Sequence, residues 1–561
     1  MNQELSKIFF EMAELLEMKG IQFKPRAFEK AADSIGTLDE DVKEIYEKGG
    51  IKALEAIPNV GRGIAERIEE YIKNGGVKDY DVLKKQMPVD VSELTAVEGV
   101  GPKTIKTLYK ELKVKDVKDL EKAAKAGKLK NLPGFGEKLE AKILKGIEFN
   151  KKSAGRMNIG EATTLARKIT EYLKKIPGVE HVEPAGSLRR RQESVGDLDF
   201  LAISSKPKQV SEKFVKMTGV QRVYAKGDTK SMVRLREGID ADLRVLPPES
   251  FGAALQYFTG SKDHNVALRK IAIKKGYKLN EYGLFKGKKL VAGKDEEEIY
   301  EKLGLDWMPP ELRTNSGEIE SAQKHKLPKL VVNDDLKGDL QTQTDWTDGT
   351  NSIEEMADEA KRLGHEYIGI TDHTKGLAMT GGADDKKLLR QIEAIDKLNK
   401  KNLGVKILKG AEVNIKKDGS LDISDKVLAK LDFAGGAIHS AFSLSEEEQT
   451  GRLIKAMQNP HIDIIFHPTT RIPMKREPIK LDFEKIFKVA AETGTIMEID
   501  AHPWRLDLHD ELIRQAKKFG VKFVIDTDAH SVAELSCLEY GIAQARRGWA
   551  EKSDITNTLS L

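Results

Sequence analysis

A single cysteine, Cys537, serves all 561 residues, so no disulfide can form within the chain, and the lone thiol reads as a buried, inert side chain. No stretch approaches the ~20 consecutive apolar residues that a membrane span needs. The amino-terminal MNQELSKIFFEMAELLEMKG carries acids too early for a secretion signal and lacks a cleavage site; it reads as an amphipathic helix. Together these absences point to a cytoplasmic protein without a membrane partner. Aromatic residues are scarce at 6% against 33% charged, the balance of a soluble globular protein with a highly charged surface. The lysine-heavy, cysteine-poor composition also suits a heat-adapted source.

Overall charge is nearly absent, at +4, but its distribution is uneven. Residues 1–150 balance 27 basic against 27 acidic side chains, residues 151–300 carry 30 against 19, and residues 301–561 carry 37 against 44. A basic middle suits a polyanion, and a carboxylate-rich end suits cations. A chain this long divides into several domains.

One phrase recurs three times in the first 150 residues: IPNVGRGIAERIEEYI (57–72), VEGVGPKTIKTLYKEL (97–112) and LPGFGEKLEAKILKGI (132–147). Each places glycines ahead of an amphipathic helix: Gly61 and Gly63, Gly99 and Gly101, Gly134 and Gly136. Glycine permits a tight turn and leaves backbone N–H groups open to a phosphate. The pattern resembles the helix-hairpin-helix, which grips the DNA backbone without reading sequence. Each copy alone is also an ordinary helix-packing turn; the threefold repetition favours DNA. Around the first copy the segment resembles the small lyase domain of DNA polymerase beta. The position matching that family's Schiff-base lysine holds Arg67, and a guanidinium stays protonated, so lyase chemistry of that type is not expected. Lys30 fits a DNA-contact lysine only loosely.

The densest chemistry lies in AGSLRRRQESVGDLDFLAI (185–203). On a strand, Asp197 and Asp199 share a face, and two close carboxylates repel unless a cation lies between them. A third carboxylate, Asp242, lies in GIDADLRVL (238–246), with Asp240 a competitor on the same face. Three such groups can hold two hard divalent ions about 3.5–4 Å apart, the arrangement of a phosphoryl-transfer centre. A surface strand with solvated aspartates is the alternative, and Gly186-Ser187 upstream counts against it.

These motifs, followed by FGAALQYFTGSKDHNVALR and GYKLNEYGLF, resemble the family X DNA polymerases over about residues 1–313. The resemblance implies a gap-filling polymerase acting on gapped or primer–template DNA with dNTPs. It assigns Asp197, Asp199 and Asp242 to Mg²⁺ and catalysis. It assigns Arg156, Gly186, Ser187, Arg190 and Gly196 to the triphosphate, and Tyr257, Phe258 and Gly260 to the sugar. Asn265 would meet the base edge and Arg269 the template strand. Tyr257 and Phe258 also fit as core aromatics.

After a turn-rich segment (306–330) the pattern changes to alternating strands and helices, which suggests an α/β barrel. Candidate strands end in chemistry at 367–373, 406–415, 433–439, 462–468, 495–502 and 522–530, where a barrel site requires its ligands. A lone histidine at a strand end is usually structural; four, with Glu412 and Asp528, indicate a metal cluster. This part resembles the polymerase and histidinol phosphatase (PHP) domain, which implies Zn²⁺ or Mn²⁺ on Asp348, His373, Glu412, His439, His467, Asp528 and His530. It also implies hydrolysis of phosphoesters, as a 3′–5′ exonuclease or at abasic sites. That family opens with His-x-His after Gly-Asp-Leu, whereas this chain has Gln341 and Gln343 there. A carboxamide oxygen is a poor Zn²⁺ or Mn²⁺ ligand, so weak or absent exonuclease activity is expected. His502, Arg471 and Arg505 are candidate phosphate contacts.

The expected architecture is a multidomain α+β and α/β protein, and the expected state is a monomer. Its parts are a lyase-like helical domain (1–90), a helix-hairpin-helix subdomain (91–155), a mixed-sheet transferase palm (156–247), a nascent-base-pair subdomain (248–313), a linker (314–333) and a distorted α/β barrel (334–561). The competing function, a phosphoesterase whose front half delivers DNA, conflicts with the intact carboxylate triad and the missing His-x-His.

Overall fold

The computed structural model describes residues 1–21, 24–36, 38, 40–97, 99–153, 155–377 and 380–561. The first 147 residues are helical and close their own core, from Leu5 and Phe9 to Ile143 and Ile147. The first helix, Asn2–Met18, is tied to its neighbours through buried Glu11. Glu11 accepts from Tyr80 at 2.5 Å and Ser92 at 2.8 Å and pairs with Lys84 at 2.7 Å. Such satisfaction is what lets a carboxylate stay buried.

The palm follows. Strands β1 (Met157–Asn158), β2 (Val179–Pro184), β3 (Ser194–Val195), β4 (Asp197–Ser204), β5 (Val220–Lys226), β6 (Lys230–Leu235) and β7 (Asp240–Leu246) form two sheets. The larger has the order β2-β4-β7-β6-β5, and only the β4–β7 pair is parallel. The smaller pairs β1 with β3. Leu198, Phe200 and Ala202 point into the palm core, which leaves the alternate residues of β4 for the site.

A third unit is built from helices Phe251–Thr259, Lys262–Lys274 and Glu296–Lys302 with an antiparallel sheet of β8 (Lys278–Asn280), β9 (Gly283–Lys286) and β10 (Lys289–Ala292). The segment expected as a linker is partly built into this unit. Glu318 is fully buried, 2.8 Å from His264 Nδ1.

The carboxy-terminal unit is a ring of parallel strands: β11 (Gly338–Thr342), β12 (Tyr367–Ile370), β13 (Lys406–Lys409), β14 (Glu412–Asn414), β15 (Gly435–Ala437), β16 (Ile464–Ile465), β17 (Ile496–Asp500) and β18 (Phe523–Asp526). The strand is interrupted at Gly410 and Ala411, so β13 pairs back with β12 while β14 pairs onward with β15. Bridges His373–Glu412 and Thr342–Ala529 join the two arcs. Surrounding helices start at firm caps: Ser352 and Glu355 form a capping box, as do Ser445 and Glu448. The barrel packs on the palm, and its Leu506 and Tyr540 belong to the palm core. Among the described residues, no helix is long and apolar enough to cross a membrane.

Candidate active sites

The parallel pairing of β4 with β7 places Asp199 opposite Asp242 and Asp197 opposite Asp240. All four share one face of the sheet, but they divide by partner. Asp240 is bound by Arg234 at 3.0 Å. Asp242 Oδ1 is buried and has no hydrogen-bond partner. Burial, then repulsion from Asp197 and Asp242, pushes the Asp199 carboxyl up to about 7. Burial likewise raises Asp242. An orphaned buried oxygen among mutually repelling carboxylates fits a divalent cation: positive charge there would satisfy the oxygen and relieve the repulsion.

A cavity of about 500 Å³ opens beside Asp197 and Asp199, with Asp242 next to Asp199 on the adjoining strand rather than in the lining itself. Arg156, Gly186, Ser187, Arg190, Gly196, Asp197, Asp199, Tyr257, Phe258, Gly260, Asn265 and Arg269 all line it. Sequence reasoning missed two further lining residues, Gln192 and Lys262. Gly186 adopts φ +61°, and a Cβ there would lie 2.2 Å from Asp199 Oδ2, so only glycine fits. Arg156 Nε donates to Ser194 Oγ at 2.8 Å. Arg190 donates to the Thr259 carbonyl, and burial lowers its guanidinium to about 10. Arg244 stacks on Phe258 at 4.2 Å, and Phe258 packs against the core around Ala185 and Leu201, as the core-aromatic alternative required. Asn265 is turned inward: its Oδ1 accepts from Gln256 at 2.7 Å and its Nδ2 donates to the Tyr257 carbonyl at 2.7 Å. Arg269 Nε donates to the Asn265 carbonyl at 3.3 Å.

The three hairpins need one correction. Gly99 and Gly134 take the left-handed conformation, at φ +88° and +80°. The equivalent turn residue in the first copy is Asn59, at φ +63°, and not a glycine. Gly61 and Gly101 cap the helices Arg62–Asn74 and Pro102–Leu112, and Gly136 directly precedes Glu137–Ser153. Gly63 therefore lies inside its helix, where it offers no turn. Asparagine tolerates the left-handed region, so the turn of the first copy carries no glycine to mark it. Arg67 pairs with Asp79 and donates to the Gly63 carbonyl at 2.5 Å, with Phe28 5.6 Å beneath it.

In the barrel, His373, His439, His467, Asp528 and His530 lie just beyond the carboxy-terminal ends of their strands, Glu412 opens β14 after the interruption that follows β13, and Asp348 lies in the turn after β11. Glu412 is fully buried at the centre. His373 Nδ1 lies 3.1 Å from it, His439 Nε2 2.9 Å and His467 Nε2 2.8 Å. Burial opposes charge on Glu412, but His373 and His439 hold its carboxyl well below the usual range. His373 Nδ1 and His439 Nε2 make no properly angled hydrogen bond, the state expected of nitrogens aimed at a shared cation. Asp348 lies 3.7 Å from His373 and 3.8 Å from His530. Two three-ligand groups result among the described residues: Asp348, His373 and His530; and His373, Glu412 and His439. His467 and Asp528, expected as ligands, fall outside both groups.

Gln343 accounts for Asp528. Its Nε2 donates to Glu412 Oε2 at 2.9 Å and to Asp528 Oδ1 at 3.3 Å, so an amide stands between two carboxylates. Gln341, with its nitrogen oriented to satisfy both groups, donates to the buried Glu498 carboxylate, 3.2 Å away at Oε2. Arg505 lies 3.8 Å from Asp528 and stays in the site. His502 lies 3.9 Å from Glu534. Arg471 does not serve there: it reaches out to Glu193 of the palm. Asn414, not anticipated, holds His439 Nδ1 at 2.7 Å and so orients the ring. It lies two residues beyond Glu412 on the same strand face, a signal the sequence did contain.

Family models match the chain in four places. They are a helix-hairpin-helix domain (1–77), a SAM-like helix-hairpin-helix tandem (91–148), a DNA polymerase beta thumb (254–314) and a PHP domain (339–519). A DNA polymerase/3′–5′ exonuclease PolX of Bacillus subtilis (strain 168) is 36% identical over 564 residues, covering 100% of this chain and 98% of that protein. A probable phosphatase of Thermoanaerobacter sp. (strain X514) is 32% identical over 37% of this chain and 84% of its own length. A probable phosphatase of Acetivibrio thermocellus is 33% identical over 32% of this chain and 73% of its own.

Proposed function

The chain belongs to the family X DNA polymerases that carry a PHP domain, and from that membership we propose that it fills short gaps in DNA by template-directed nucleotidyl transfer. The observation that carries this is the meeting of Asp197, Asp199 and unpartnered Asp242 beside the 500 Å³ cavity. These three carboxylates would hold Mg²⁺, which when bound activates the 3′-hydroxyl and neutralises charge on the triphosphate. Ser187, Arg190 and Arg156 hold the phosphates, and the Gly186 turn keeps the backbone close to Asp199. Asp242, its carboxyl raised by burial, accepts the 3′-hydroxyl proton. Tyr257, Phe258 and Gly260 flank the sugar. Asn265 exchanges its bond to Gln256 for a base edge, and Arg269 meets the template. Gly61, Gly99, Gly101, Gly134 and Gly136 sit at the turns that track the DNA backbone, and Asn59 completes the set. The chain works in the cytoplasm as a monomer.

The barrel supports a phosphoesterase of the 3′–5′ exonuclease type, on Zn²⁺ or Mn²⁺ held by the two three-ligand groups, with its activity weakened at Gln341 and Gln343. The reading in which the polymerase half merely delivers DNA is not favoured, because the damage lies in the barrel and the palm triad is whole. A primer extended across a short gap with Mg²⁺ and dNTPs, and not extended by Asp197→Ala, is the expected result. An alanine variant as active as the parent would overturn the assignment.

A further inference from the structure

The loop that joins the triphosphate-binding turn to Asp197 is held from outside the palm. Residues 190–196 include Arg190, Gln192 and Gly196, all lining the nucleotide cavity. Between them stands Glu193, whose side chain points away from that cavity into the barrel. Arg471 Nη1 donates to its Oε2 at 3.2 Å, Arg471 Nη2 binds its Oε1, and Gln544 Nε2 donates to Oε1 at 2.7 Å. Arg191 takes the left-handed conformation at φ +54° and pairs with Glu539 of the barrel at 3.3 Å. The left-handed region crowds the Cβ of an arginine, so neighbouring contacts must hold it there.

The second support lies one strand away. Asn158 in β1 is buried and donates to the Pro503 carbonyl at 2.6 Å. β1 pairs with β3, the strand that leads into Asp197, and Arg156 at its head binds Ser194. A Cβ on Gly160 would lie 2.9 Å from Cβ and Cγ of Pro503, so the proline ring of the barrel packs onto the palm backbone where glycine leaves room. Arg471 Nε also donates to the Leu506 carbonyl at 3.1 Å, and Leu506 itself is 2% exposed within the palm core.

We propose that Arg471 and Gln544 of the barrel are positioning residues for the polymerase: by clamping Glu193 they hold the 190–196 loop in the shape that binds the dNTP triphosphate. The inference rests on the polymerase reading above. It gives the barrel a role independent of its metal ligands, one that Gln341 and Gln343 leave intact.

The test is steady-state gap filling by the full-length chain, with dNTP and DNA concentrations varied separately. Arg471→Met removes a bidentate charge-assisted pair and should raise the KM for dNTP ~10-fold while kcat moves less than ~3-fold and the KM for DNA holds. Arg471→Lys, which keeps charge but loses the fork, should fall between. Gln544→Met removes one hydrogen bond and should raise the dNTP KM ~3-fold; it carries the test where Arg471→Met does not fold. A folded variant with the parent's dNTP KM, or one that loses kcat alone, overturns the inference. A parent that does not extend primers at all overturns the polymerase reading and this inference with it.

Discussion

Gln343 Nε2 donates to Glu412 Oε2 at 2.9 Å, and the same nitrogen reaches Asp528 Oδ1 at 3.3 Å. A neutral NH₂ group thereby separates two buried carboxylates that would otherwise call for a cation. The amide satisfies their oxygens without supplying charge to polarise a phosphoester. The barrel can therefore fold around this position while lacking one part of its chemistry.

Restoring imidazoles at both positions should reverse this. Gln341→His with Gln343→His is expected to raise Mn²⁺-dependent 3′ degradation of a labelled primer by at least ~10-fold, the scale on which metal-site changes act. Gln343→His alone should recover part of the gain, since Gln343 is the residue that touches Glu412 and Asp528. A parent that digests the 3′ end as fast as the double variant would refute the assignment.

The two candidate aspartates of β7 should separate cleanly. Asp242→Asn removes the unpartnered carboxylate and should slow extension by ~10²–10⁴-fold, the range of a lost general base. Asp240→Asn breaks only the pair with Arg234, which is partly exposed, and should cost less than ~10-fold. Single-turnover extension at saturating dNTP measures both.

Glu14 predicts a pH dependence in the helical domain. Its carboxyl is raised to about 7, by burial first and then by Glu17 and Glu29, and its Oε2 has no partner. The unfolded chain ionises this group near pH 4.5 while the folded chain keeps its proton to about 7. The folded state therefore binds more protons across that window, and stability falls as pH rises through it. Hydrogen exchange of residues 1–147 should show less protection at pH 8 than at pH 5.5. Glu14→Gln should remove that difference, worth on the order of 1–2 kcal/mol. Equal slopes in parent and variant would exclude Glu14 as the cause.

Arg67 is anchored by Asp79 and stacks over Phe28, and its guanidinium is no nucleophile at neutral pH. Borohydride should trap no covalent adduct between the parent and nicked abasic DNA. A trapped adduct that survives Arg67→Ala would place a Schiff-base lysine elsewhere in the helical domain.

Much of both sites was legible because their geometry is local. Period-two alternation put Asp197 and Asp199 on one face, and Gly-Ser ahead of them marked the turn that only glycine at 186 can make. The barrel ligands recurred at strand ends for the same reason. What failed was whatever depended on a partner far along the chain. Gly63 looked like half of a Gly-x-Gly turn, but the turn belongs to Asn59. Arg471 looked like a phosphate ligand by its nearness to the barrel mouth, yet Glu193, 278 residues earlier, claims it. Asn265 lines the cavity, but that its side chain is already bonded to Gln256 and the Tyr257 carbonyl is visible only in the fold.

The chemistry of the opening residues follows the same division. That Gln341 and Gln343 are poor metal ligands is a property of the amide group, and sequence alone settles it. That Gln343 bridges Glu412 and Asp528 while Gln341 turns to Glu498 needed the closed ring, because strands β11, β14, β17 and β18 meet only there. The carboxylate triad, with Asp242 preferred to Asp240 by its place directly before Leu-Arg, is a matter of residue type, spacing and strand period; that Arg234 on the neighbouring strand occupies Asp240 is visible only in the fold. Side-chain chemistry and short-range periodicity are written along the chain. Which buried group finds which partner is decided by packing.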